Sequence, residues 1–246
     1  MGRFEPMHTV PPRRLAAIFL PALAVLGVIA MLAVAGVVNV RALTEDVTAM
    51  ARLRPWAGLL SNLGILLWWT AAAICFFGAA MVRRSGEPGA FAFLLSSGAL
   101  STYLTLDDLL QVHERLAPRY AGVAEEHVLA AIAIAAAAHV FAFRRLILRT
   151  DYRLLGLALA LLGAAALMDS IFHSWLRTLG QWEFFIEDGA KWLGIVSWCA
   201  YHTSASAYLV RAAAAQPASR APVPVVRWTP GEPAPQRTSA RRRVGG

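Results

Sequence analysis

Residues 15–38 and 56–82 run for 24 and 27 positions without a single charge. A helix needs roughly 20 apolar residues, at 1.5 Å of rise each, to cross the hydrocarbon core of a bilayer. Both runs are long enough outright. Four more apolar runs, 90–106, 128–143, 154–168 and 192–210, reach that length only by including polar flanks. With 58% hydrophobic residues, the chain carries more apolar surface than a water-soluble domain would need. The pattern predicts an all-α polytopic membrane protein, a six-transmembrane-helix bundle over residues 15–210. A short basic leader, residues 1–14, precedes it. Residues 211–246 hold six of the thirteen prolines together with Ala, Arg and Ser. That composition cannot bury a core and predicts a disordered tail.

Basic charge orients the spans. With the spans numbered in order, sixteen arginines fall in the leader, loops 2–3 and 4–5, and the tail. Only six fall in loops 1–2, 3–4 and 5–6. The positive-inside rule then puts both termini in the cytoplasm. This accounts for the net charge of +8, so the arginine-rich tail does not call for a nucleic-acid partner. The bilayer is the partner the composition demands. The cysteines, Cys75 and Cys199, sit in separate apolar runs with no CxxC spacing and read as small buried hydrophobes. Thr44 is a candidate N-cap for an interfacial helix in TEDVTAMARLRP, and Pro55 is expected to open span two. Seven tryptophans, Trp68 and Trp198 among them, fall within spans or near their ends, and most read as interface anchors; the small residues of span five, such as Gly156 and Gly163, read as a close-packing face.

Against this apolar background, three segments carry charge: LTLDDLLQVHE, LMDSIFH and FIEDGAKWLG. They contain Asp107, Asp108, His113, Glu114, Asp169, His173, Glu187, Asp188 and Lys191. Ionisable groups in a span are costly and mark either a functional site or a paired structural network. The topology places all three segments on the non-cytoplasmic side, where eleven of the fifteen carboxylates fall. If the helices run straight to about residues 116 and 176, and span six starts near 184, Asp107, Asp108, Asp169 and Lys191 form a layer about 10 Å deep, with His113, His173, Glu187 and Asp188 above it.

Helical phase sorts them further. Asp108 continues a stripe of Ser97, Ser101 and Thr105, whereas Asp107 shares a face with Gln111 and Glu114. In a straight helix His113 points away from both, so the three meet only if the helix kinks. Asp169–His173 and Glu187–Lys191 are i,i+4 neighbours suited to pairing.

Three chemistries fit. His113, Asp169, His173 and Glu187 or Asp188 are mixed imidazole–carboxylate donors of the kind that hold zinc or iron. A metal-activated water would make a hydrolase acting on a lipid-like substrate, with Asp108, Glu114 and Lys191 as catalytic candidates. Alternating carboxylate–lysine pairs would instead serve a proton- or cation-coupled transporter. A fixed ion-pair network would serve a structural or assembly subunit. His139 and His202, lone on apolar runs, read as core histidines rather than haem ligands.

The ordered set DDLLQVHE, MDSIFH and EDGAKWLGIVSW resembles a group of small bacterial multi-pass membrane proteins over about residues 90–200. The resemblance implies a six-helix bundle in a bacterial inner membrane and supplies no reaction. Ser101, Asp169, His113 and His173 also resemble the serine, aspartate and histidines that alkaline-ceramidase-like membrane hydrolases set around zinc. Those hydrolases carry a paired HxxxH in the last span, where this sequence has His202 alone.

Overall fold

A computed structural model describes residues 12–40, 43, 47–83, 88–170, 178 and 182–215. Among them the chain is helical throughout, without a strand. Its contacts divide it into two units, one up to Leu60 and the other from Ser61 onward.

In the first unit, α1 spans Pro12–Val34. Proline suits its first position because no amide hydrogen is missed there. The helix closes through Gly36, at φ +68, where the Gly36 and Val37 amides return to the carbonyls of Ala33 and Leu32 at 3.0 and 2.9 Å. Glycine reaches this left-handed conformation without the Cβ clash, so it ends the helix cheaply. The interfacial helix is a single turn, α2, Val47–Met50. Its expected cap, Thr44, lies outside the described residues.

Helix α3, Leu59–Val82, does not start at Pro55 as the sequence suggests. Residues 55–58 form a turn that Gly58, at φ +70, separates from the helix. Gly64, Trp68, Ala71, Cys75, Gly78 and Val82 make a buried stripe at helical spacing. On the other face Leu66, Trp69, Phe77 and Met81 are exposed, a surface suited to hydrocarbon rather than water. Helix α4, Pro88–Leu110, packs Phe93 and Leu94 into the same core. Both cysteines are free and buried there.

α4 does not continue to residue 116. Gln111 adopts φ 50, ψ 51, and a ten-residue π-helical segment, Val112–Ala121, follows. Gly122, at φ 65, ends it, and residues 122–124 connect it to the next helix. Helix α5, Glu125–Ile147, carries Glu125 and Glu126 in its first turn and Arg144 and Arg145 in its last, each favourable to the helix dipole. Helix α6, Tyr152–Ser170, lies along α7, Trp182–Ala215, in the most extensive helix–helix contact of the unit. At 34 residues α7 is about 51 Å long, well beyond the roughly 30 Å of a hydrocarbon core.

Among the described residues, four helices are long and apolar enough to cross a membrane: Leu59–Val82, Gly89–Leu110, Glu125–Ile147 and Tyr152–Asp169. α1 carries a shorter apolar stretch, Phe19–Val34. In α7 the apolar run is diluted by Ser197, His202, Thr203, Ser204 and Ser206.

Candidate functional site

The polar residues of α4 and α7 form a seam through the core. Ser97, Ser101 and Thr105 are buried along one face of α4, as the helical phase requires, and Asp108 ends the row. The Trp198 indole of α7 donates to Ser101 Oγ at 3.0 Å. Trp68 donates to Asp108 Oδ2 at 3.0 Å, and Lys191 Nζ donates to Asp108 Oδ1 at 2.9 Å. Asp108 therefore ties α3, α4 and α7 together with both carboxylate oxygens engaged. The expectation that Trp68 and Trp198 anchor at the interface is overturned. They are 3% and 2% exposed and serve as core donors, because an indole N–H can satisfy a buried acceptor while its ring fills apolar space.

Further along the seam, His139 has Ser96 Oγ 3.3 Å from Nδ1 and Ser97 Oγ 3.2 Å from Nε2. His202 Nδ1 lies 3.0 Å from the Trp198 carbonyl, an acceptor, so Nδ1 carries the proton. His202 is buried in the core, and His139 is half-buried at its margin.

The break at Gln111 decides the other end. It turns the chain so that His113 meets Asp107: the backbone N–H donates to Oδ1 at 3.1 Å, and Nδ1 lies 2.6 Å from Oδ2. Asp107 thus accepts an amide of the π segment's first turn as a capping carboxylate would, from the preceding helix. α4 ends at Leu110, and the turn at Gln111 brings the imidazole directly onto the Asp107 carboxylate. That hydrogen bond raises the His113 pKa above its ordinary 6.5, and the charges of Asp107 and Glu114 add to it. Burial and Lys191 oppose the shift without reversing it. A carboxylate partner takes Nδ1–H and leaves Nε2 facing outward, 3.7 Å from Glu114 Oε1. Glu114 itself is half-exposed and accepts from Gln111 Nε2 at 3.3 Å.

Eight of the nine charged-motif residues line one cavity of ≈ 780 Å³: Asp107, Asp108, His113, Glu114, Asp169, Glu187, Asp188 and Lys191. The ninth, His173, lies outside the described residues. The cavity runs from this polar end along α5 and α6 toward Phe141 and Arg144. Its walls include Ala133, Ala136, Ala137, Gly163 and Ala166. The small residues of α6 therefore do not all draw helices together. A Cβ at Gly156 or Gly163 would meet nothing within 4 Å. Close approach occurs at Gly194 of α7, where a Cβ would lie 2.8 Å from Leu162 Cγ and 3.1 Å from its backbone nitrogen.

Among the described residues, no three His, Cys, Asp or Glu side chains are grouped to hold a metal ion. His113 and three carboxylates, Asp169, Glu187 and Asp188, line the cavity without forming such a group.

Residues 17–205 match a family described as a domain of unknown function, DUF8692. The chain belongs to that family. The DUF8692 match covers the whole seam, the cavity and all three charged motifs. No curated protein and no solved structure matches the chain.

Sequence reasoning missed the pairing of Asp107 with His113 and the part played by Trp68. A tryptophan twelve residues into an uncharged run was the available signal for the second. The first had none, since no residue type announces a left-handed glutamine.

Proposed function

We propose that the protein is a six-span bacterial inner-membrane hydrolase that takes a lipid-like molecule into the cavity and cleaves it at the carboxylate–histidine end. α1 and α7 supply the two spans beyond the four apolar ones. The arginine distribution puts both termini in the cytoplasm and opens the polar end outward. One observation carries the reading: Asp107 grips Nδ1 of His113 at the polar end of a long apolar cavity. That grip fixes the imidazole's orientation and leaves Nε2 to take a proton from an attacking water. The cavity volume suits a small-molecule site, roughly 300–1,000 Å³. The cluster then divides by role. Asp108, Lys191 and Trp68 hold three helices in place, while His113, oriented by Asp107, acts on the substrate and Glu114 stands beside it.

The same pair favours a second reading, because metal-bound histidines commonly give their other ring N–H to a carboxylate. Zinc or iron would then be held by His113 Nε2 with Asp169, Glu187 or Asp188 and with His173. The likeness to alkaline-ceramidase-like hydrolases belongs to this reading.

The test uses the purified full chain in nanodiscs, offered ester- and amide-linked lipids, with products followed by mass spectrometry. Chain release should be lost in His113→Gln while the melting temperature stays within a few degrees. Release that survives His113→Gln, or no release from any substrate, overturns the proposal. Activity should rise with pH through a midpoint above 6.5, and Asp107→Asn should move that midpoint down by removing the anion that stabilises the imidazolium. Zinc or iron co-purifying at one per chain, and lost in His113→Gln and His173→Ala, selects the metal reading. Active protein without metal leaves His113 as the base. Reporter fusions at the C-terminus check the orientation.

A further inference from the structure

The segment that carries His113 is held against the preference of its own sequence. Residues 105–117 contain no glycine and no proline, and good helix formers predominate after Asp108. Locally, α4 should run on to Ala117, where Pro118 would stop it. Instead Gln111 sits at φ 50, ψ 51, a left-handed conformation that costs any residue with a Cβ. The chain then enters a ten-residue π helix, a rare form that concentrates at functional sites, with Pro118 inside it and no buried side chain. Two hydrogen bonds oppose the strain. Asp107 accepts the His113 amide at 3.1 Å and holds its Nδ1 at 2.6 Å.

The first carbonyl of the turn already serves two helical forms. Gln111 O accepts the Arg115 amide at 2.8 Å, the bond an α-helix makes, and the Leu116 amide at 3.0 Å, the bond a π helix makes. The alternative to the kink is sterically simple. Running straight through Gln111, α4 would gain seven residues and about 10 Å. The seven residues 118–124 reach about 23 Å when extended, enough to return to the start of α5 without moving it. His113, six residues beyond Asp107, would then face about a third of a turn away from it.

We propose that residues 111–124 form a two-state lid on the cavity. In the kinked state, the one described above, His113 is latched on Asp107 at the polar end. In the straight state α4 is extended and His113 is turned off that end, so that an amphiphile can enter. Strain at Gln111 favours the straight form and the two Asp107 bonds favour the kinked one, which keeps them close in energy. A substrate that fits beneath the kinked segment selects the closed state and gains the oriented imidazole with it. The lid rests on the reading above that the cavity takes a lipid-like molecule and that His113 works at its polar end.

The test places spin labels, carried on p-acetylphenylalanine, at exposed Arg115 and at exposed Leu148 beyond the far end of α5, in the full chain in nanodiscs. Straightening carries residue 115 away from residue 148, so pulsed electron resonance reads a shorter and a longer separation. In the wild type the shorter should dominate, with the longer as a minority. Gln111→Gly, which takes the left-handed conformation freely, should cut the longer population about tenfold. Asp107→Ala, which removes both latching bonds, should make it the major one. A single separation in all three proteins overturns the lid. So does a longer population that Gln111→Gly leaves undiminished, or a folded Asp107→Ala protein with the shorter separation alone. If Asp107→Ala does not fold, the Gln111→Gly comparison decides. No substrate enters the measurement, so its failure leaves the hydrolase reading standing, and a failure to detect hydrolysis leaves the two separations standing.

Discussion

The seam between α4 and α7 and the cavity between α5 and α6 use similar residues to opposite ends. On α7, which forms one side of the seam, a small residue brings helices together: Gly194 admits Leu162 of α6 where a methyl group would collide. In the cavity, Gly163 and its alanine neighbours face open space and keep two walls apart. The polar groups divide the same way. Those of the seam's middle are neutral hydroxyls, indoles and imidazoles, most of them hydrogen-bonded, whereas the carboxylates line the cavity. Neutral groups survive in an apolar interior when hydrogen-bonded; charges survive at its edge or in pairs. Composition alone therefore does not say whether a glycine or a polar residue closes a structure or opens it.

Lys191 belongs to both regions, and breaking it has the largest expected effect. Lys191→Met leaves Asp108, 10% exposed, with only the Trp68 indole and should cost about 3 kcal/mol. That figure is the low end of the range for a buried pair, because Lys191 is partly exposed. Thermal unfolding in detergent measures it, and a loss below about 0.5 kcal/mol would show that the tie does not hold the seam. Gly194→Ala should cost about 1–3 kcal/mol by overpacking against Leu162. Gly163→Ala should be neutral or stabilising by up to about 1 kcal/mol, since alanine is the better helix former. Equal costs at the two glycines would erase the contrast. Ser97→Ala, which strips His139 Nε2 of its hydroxyl partner, should cost about 1 kcal/mol by the same measurement.

The smallest effect is one of pH. Because Asp107 raises the His113 pKa above 6.5, the pair's contribution to stability is full below that value. It fades as pH rises through the higher folded value. The melting-temperature gap between the wild type and His113→Gln should therefore be widest in mild acid and narrow toward pH 9. A gap that widens with pH would mean the imidazole is not held in its charged form.

Much of the seam was legible from residue order. The stripe Ser97–Ser101–Thr105–Asp108 follows from 100° of rotation per residue, and the structure buries its hydroxyls together. The helical class was equally plain, because apolar runs leave the backbone no other way to satisfy itself in lipid. The requirement for a kink before His113 could join the carboxylates was legible too; its place and form were not. Gln111 in the left-handed region and the π segment after it are set by tertiary context, and glutamine carries no preference that would announce them. Lys191 illustrates the other blind spot. Its i,i+4 spacing to Glu187 is visible in the sequence, but its 2.9 Å contact with Asp108 spans 83 residues. The cavity was invisible for the same reason: small residues read alike whether a neighbour is present or not.

The burial of Cys75 and Cys199 has a practical consequence. Both thiols lie out of reach of a membrane-impermeant maleimide, so the natural chain supplies a silent background for labelling. A single cysteine placed at exposed Ala51 or Ala212 then becomes the sole reactive address on the folded protein, and the side from which it takes the label fixes the sidedness of that position without removing either native cysteine.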